Sequence, residues 1–295
     1  MDATTQPLTD GDPPTIGKVH ASLPTLAPIA SFLVLLELAA GTVAAAYLID
    51  GLGRIGRGFV GTTALICAVV MGAALLIGVN LPTDTQLVDG SLSQGPVSGL
   101  IHWCLGFTGA LLAFAFFCAV GTDAARRVVG AATLVTGAVT IAEAAIAFGP
   151  ALGGAAAAAV TFVPATLVEG GALAGMLLGH WYLVSPNLSF RPLRQVINIV
   201  FASLAIESVT LALVLGFTSG STRDQLLTGQ YAVPFWLLVI GSGIVFTGGI
   251  LLLTRHFARI RANQPATAML YALIISVVMG VVPAHLLYFV TGAPV

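Results

Sequence analysis

Eight long apolar stretches constrain what this chain can fold into more than any other feature of its sequence. A helix that rises 1.5 Å per residue needs about 20 apolar residues to cross a hydrocarbon core of about 30 Å. The stretches that meet this length run roughly over residues 25–48, 58–80, 98–121, 127–149, 155–184, 193–217, 232–254 and 266–291. We therefore predict an all-α fold, a bundle of about eight transmembrane helices that forms a single domain over residues 25–295.

Composition excludes a soluble globular protein. Only 8% of the 295 residues are charged and 57% are hydrophobic, whereas soluble domains carry about 25% charged residues. Residues 1–24 are polar and rich in proline, threonine and aspartate, so we predict a disordered tail there. The sequence has no basic face for nucleic acid, and the lipid bilayer is the expected partner.

The arginines predict an orientation, because short cytoplasmic loops are enriched in basic residues. Nine of the eleven basic residues follow the first, third, fifth and seventh stretches. They are Arg54, Arg57, Arg126, Arg127, Arg191, Arg194, Arg255, Arg259 and Arg261. We expect these loops in the cytoplasm and both termini on the other side. One lysine against ten arginines, with abundant alanine and glycine, is typical of a GC-rich bacterial genome, so we expect a bacterial cytoplasmic membrane.

All four glutamates of the chain lie inside the apolar stretches: Glu37, Glu143, Glu169 and Glu207. An ionised carboxylate in hydrocarbon is costly, so such residues face the bundle interior, find a partner or take up a proton. Three of them come out about 17–21 Å from one end of their helices, near the midplane, and Glu143 lies in the outer half. They are candidates for proton transfer or ion binding, and the alternative is that each is a protonated group bonded across a helix contact.

The histidines form two candidate pairs. His102 and His285 come out at similar depths near the outer surface, and His180 and His256 lie near the inner surface. Neutral imidazole is a good axial ligand of haem iron, so the outer pair is the first candidate for a haem b site and the inner pair the second. Ordinary interfacial histidines would give the same pattern.

Trp181 and Tyr182 directly follow His180 at the end of the fifth stretch. Their rings could border a quinone head group near the interface, although an aromatic belt at the membrane surface explains them equally well.

Three functions remain open from these observations. The first is a non-catalytic electron-transfer or anchor subunit of a respiratory complex that binds haem b or quinone and docks to partner subunits. The second is a proton- or cation-coupled transporter that uses Glu37, Glu169 and Glu207, and the third is a structural subunit without a cofactor. The sequence holds no motif for a nucleotide loop, a zinc site or a hydrolytic triad.

Overall fold

The computed structural model describes residues 23–53, 55–82, 87, 90–185 and 189–295. Over these residues the fold is all-α, and eight of its helices are long and apolar enough to cross a membrane. The predicted count of eight spans is therefore confirmed and indicates a multi-pass membrane protein. Residues 1–22 of the predicted N-terminal tail and Arg54 lie outside the described residues, whereas Leu23 and Pro24 belong to the first helix.

The helix bounds extend the predicted ones by a few residues at most ends. The helices are α1 Leu23–Gly53, α2 Arg57–Gly78, α3 Gln94–Val120, α4 Asp123–Phe148, α5 Ala155–Val184, α6 Arg191–Phe217, the short α7 Gly220–Leu227, α8 Ala232–Arg259 and α9 Asn263–Thr291. Every helix except α7 is a candidate membrane span.

The loops divide between the two ends of the bundle. Nine of the eleven basic residues lie in the connections that follow α1, α3, α5 and α8 or in the adjoining helix turns, and we call this end the arginine end. The other connections, α7 and the chain end at Val295 lie at the opposite end. Two ion pairs connect helices at the arginine end. Arg57 of α2 binds Asp123 of α4 at 2.8 Å, and Arg126 of α4 binds Asp50 of α1 at 2.6 Å.

Three helices form the centre of the bundle. α1 packs against α2, α4, α5, α6 and α9, and α5 packs against α1, α4, α6 and α9. α1, α5 and α9 are also the most buried spans, whereas α3, α6 and α8 are the least buried. Glu37, Glu169 and His285, which are fully buried, lie on these three helices.

Two glycine pairs let central helices approach closely, as bundles in lipid require. Gly41 of α1 faces Gly170 of α5, and a Cβ atom on Gly170 would lie 2.2 Å from the Cα atom of Gly41. Gly243 of α8 faces Gly280 of α9, where a Cβ atom on Gly280 would lie 2.3 Å from the Cα atom of Gly243. Any side chain at either crossing would push the two helices apart.

The first half of α8 is wound as a π-helix over Phe235–Phe246. The Thr247 hydroxyl donates to the carbonyl oxygen of Ser242, five residues earlier, at 3.0 Å, and lies 2.8 Å from the Ser276 hydroxyl of α9. The Ser276 hydroxyl also donates to the Ser242 carbonyl oxygen, at 2.9 Å. The backbone N–H of Thr247 donates to the same Ser242 carbonyl oxygen, so the two hydroxyls add to a bond that the π segment already makes. Segments of π-helix are frequent at functional sites.

Candidate functional site

A carboxylate and an imidazole meet in the centre of the bundle. Oε2 of Glu37 on α1 lies 2.7 Å from Nε2 of His285 on α9, and both side chains are fully buried. The ring of Phe162 meets the His285 ring edge-on, with the centroids 5.6 Å apart. The remaining polar atoms, Oε1 of Glu37 and Nδ1 of His285, have no hydrogen-bond partner among the described residues. The pair is thus a polar contact in an otherwise apolar packing.

Glu169 is a second buried carboxylate beside this pair. It is fully buried on α5, and neither of its oxygens has a hydrogen-bond partner in the described part of the chain. The Gly41 and Gly170 crossing holds this stretch of α5 against α1, and Glu169 lies within electrostatic range of Glu37 and Glu207. A buried carboxylate without a partner is costly when ionised, so this position favours the uptake of a proton or a cation.

Glu207 connects the buried groups to a cavity. It is half-buried on α6, and together with His285 and Pro164 it lines a narrow cavity of about 30 Å³. Gly243 and Gly280 line the same cavity, so the π segment of α8 forms part of its wall. About 30 Å³ is the space that one water molecule occupies in liquid water. The cavity therefore has room for about one water molecule between Glu207 and His285.

The narrow cavity adjoins a wider groove at the opposite end of the bundle. This groove has a volume of about 580 Å³ and shares Val160, Thr210 and Pro294 with the narrow cavity. Thr210 lies one helical turn from Glu207 on α6. Glu207 and His285 are thus connected to the end of the bundle that lies away from the arginine loops.

Prolines leave backbone carbonyl groups open near the site. Pro164 in α5 has no N–H group, so the carbonyl oxygen of Val160 lacks its usual intrahelical donor. Pro164 and Val160 both line the narrow cavity. Pro283 in α9 has the same effect on Met279, close to His285. Interrupted helices with open carbonyl groups are typical of ion and substrate sites in transporters.

Towards the arginine end, α5 is packed tightly against its neighbours. A Cβ atom on Gly171 would lie 2.9 Å from Val200 of α6, and one on Gly175 would lie 3.1 Å from Leu270 of α9. One turn further, the Thr267 hydroxyl donates to the carbonyl oxygen of Gly179 at 3.1 Å. These direct contacts close the bundle on the arginine side of Glu169.

The other histidines named as candidate ligands lie on exposed helix faces. Nδ1 of His102 lies 2.7 Å from the carbonyl oxygen of Ser98 in its own helix, whereas His285 is fully buried and bonded to Glu37. Nδ1 of His180 lies 3.2 Å from the hydroxyl of Tyr271, and the ring of His256 contacts that of Phe257. The structure shows no contact within either predicted pair among the residues that it describes. A haem between His102 and His285 stays a prediction, and it would require His285 to release Glu37.

The remaining candidates have contacts that a structural role explains. The Trp181 ring packs edge-on against Phe59 of α2, with centroids 5.9 Å apart. Tyr182 is buried, donates its hydroxyl to the carbonyl oxygen of Ser189, and packs its ring against Phe190. Glu143 is half-buried on α4 and does not line the cavity. The quinone site at Trp181 and Tyr182 stays a prediction.

No protein-family model matches this chain, and no curated protein matches it. The function is therefore argued from the geometry of the site.

Proposed function

We propose that this protein is a proton-coupled transporter of the bacterial cytoplasmic membrane. Glu207, the Glu37 and His285 pair, and Glu169 take up and pass on the coupling proton. The single observation that carries the proposal is the buried contact between Glu37 and His285, because Glu207 shares a cavity with His285 and Glu169 is buried next to the crossing of α1 and α5. Ionisable groups that face a bundle interior in this way mark ion pathways and proton relays.

The access geometry supports transport over a purely structural role. One end of the cluster is connected to a groove through Glu207 and Thr210, and the other end is closed by glycine contacts of α5 with α6 and α9. A site that opens to one side and is sealed on the other corresponds to one state of an alternating-access cycle. If the arginine end lies in the cytoplasm, the groove opens to the non-cytoplasmic side, where both chain termini also lie.

The groove indicates the class of solute. Among the residues that the structure describes, the groove is lined by five hydroxyl side chains and by no charged group. A volume of about 580 Å³ lies within the range of about 300–1,000 Å³ that is typical of small-molecule sites. An uncharged solute with several hydrogen-bonding groups therefore suits the groove better than an anion or a metal ion.

Proton movement in proteoliposomes tests the proposal. Vesicles with a trapped pH-sensitive dye receive panels of sugars, nucleosides, amino acids and organic acids. We expect an uncharged class to change the internal pH, at a rate that falls by about 100-fold in Glu169→Gln and Glu207→Gln. The matched control, Glu143→Gln, should retain the rate because Glu143 is half-buried on α4, a helix that contributes none of the four proposed proton-carrying groups. Solute uptake with no proton movement, or full coupling in both site variants, would contradict the proposal.

A further inference from the structure

Three arginines surround a small pocket at the arginine end, where α6 begins and α8 ends. Arg194 and Asn198 are one turn apart on α6, and Arg255 and Arg259 are one turn apart on α8. The four side chains line a pocket of about 110 Å³ together with Ile197. At about 30 Å³ per water molecule, this is the space of roughly four waters, which suits a small anionic group.

These arginines have no acidic partners among the described residues. The arginine end holds two carboxylates in that part of the chain, Asp50 and Asp123, and both bind Arg126 or Arg57. The guanidinium of Arg255 instead lies over the ring of Phe201, 5.9 Å from its centroid, which fixes its direction. Three guanidinium groups without counter-ions around one pocket form a ready site for a phosphate group, because each offers several N–H donors in a planar fork.

The surroundings of the pocket favour a lipid as the source of the phosphate. α6 and α8 are among the least buried spans of the bundle, so the pocket lies between two helices that face lipid. Basic pockets between transmembrane helices near the cytoplasmic surface bind the head groups of anionic lipids. We propose that Arg194, Arg255 and Arg259 bind the phosphate head group of an anionic phospholipid.

Lipid retention in native mass spectrometry tests this site. The purified protein is exchanged into mixed micelles that contain equal amounts of phosphatidylglycerol and phosphatidylcholine. We expect retained phosphatidylglycerol on the wild type, and about 25-fold weaker retention in the double variant Arg255→Gln/Arg259→Gln, since each arginine contributes roughly fivefold. The single variant Arg255→Gln should lose about fivefold and remains informative if the double variant does not fold.

The control variant also loses two arginine charges at the arginine end, but from positions outside the pocket. Arg127 and Arg261 are exposed and do not line the pocket, so Arg127→Gln/Arg261→Gln should retain the lipid like the wild type. Equal losses in both double variants would show a diffuse charge effect and overturn the site. Equal retention of the two lipids would overturn it as well. If inorganic phosphate binds and phosphatidylglycerol does not, the pocket serves a soluble phosphate and the lipid assignment is wrong.

Discussion

At the scale of single residues, the sequence located the carboxylates but not their partner. Their placement inside apolar stretches sufficed to predict that Glu37 and Glu169 avoid lipid, and both are fully buried. The contact between Glu37 and His285 joins residues that are 248 positions apart, and helical periodicity contains no information on such contacts. The depth of His285 was counted from the end of its own helix. That count gives no height relative to Glu37 on α1, because the sequence does not define how the ends of two helices are aligned.

The pairing of Glu37 with His285 predicts a coupled effect on stability. Removing one partner leaves a buried polar group unsatisfied, so we expect Glu37→Leu or His285→Phe alone to lower the free energy of unfolding by about 3 kcal/mol. The double variant should lose less than the sum of the single losses, by about 2 kcal/mol. Unfolding in detergent, followed across the full double-mutant cycle, gives this coupling energy. Additive losses would show that the two side chains do not interact.

At the scale of helices, hydropathy predicted the eight spans to within a few residues at most ends. It missed α7 (Gly220–Leu227), which lies in a predicted loop, because this helix is short and polar. It also missed the π segment of α8, because the apolar run over Phe235–Phe246 has the same composition in either winding. Ser242 in the π segment and Thr247 directly after it are bonded to the Ser276 hydroxyl of α9. These bonds form only when α8 and α9 are packed together, so the sequence of α8 alone does not predict the π segment.

The crossing of α1 and α5 should not tolerate a methyl group. A Cβ atom on Gly170 would overlap the backbone of α1, so Gly170→Ala should separate the two helices and lower the yield of folded protein. The matched control is Gly109→Ala on α3, where a Cβ atom meets nothing within 4 Å. Size-exclusion profiles of the two variants in detergent make the comparison. A normal profile for Gly170→Ala would show that the crossing is looser than described.

The hydroxyl cluster beside the π segment predicts a smaller effect. Thr247→Val keeps the shape of the side chain but removes its bonds to Ser242 and Ser276. We expect a loss of about 1 kcal/mol in the free energy of unfolding, which is the scale of hydroxyl bonds between membrane helices. Thr136→Val is the control, because the hydroxyl of Thr136 bonds only within its own helix in the described structure. If both variants lose the same free energy of unfolding, the bonds between α8 and α9 at Ser276 contribute nothing beyond an ordinary hydroxyl bond within one helix.

At the scale of the whole molecule, the packing order of the helices was beyond prediction from the sequence. The sequence shows glycines on both α1 and α5, but which glycine meets which depends on the complete bundle. The central position of α1, α5 and α9 explains why Glu37, Glu169 and His285 meet, while Glu143 and His102 remain apart from them. The arrangement that favours proton coupling is thus a property of the assembled bundle.

The proposed orientation can be tested by labelling intact cells. Ala124 is exposed at the arginine end and Ser221 is exposed on α7 at the opposite end. The native Cys67, Cys104 and Cys118 are all buried and provide the unlabelled background. An impermeant maleimide should label Ser221→Cys and leave Ala124→Cys unlabelled until the cells are lysed. The reverse pattern would place the arginine end outside and invert the direction of access.

The central claim is that the buried cluster takes up and releases protons, and infrared difference spectroscopy of the reconstituted protein tests it most directly. Spectra recorded at two pH values distinguish protonated from ionised carboxyl groups. The account predicts a carboxyl signal that changes with pH in the wild type, is lost or strongly reduced in Glu169→Gln, and is unchanged in Glu143→Gln. A wild-type signal that persists unaltered in Glu37→Gln, Glu169→Gln and Glu207→Gln would contradict it.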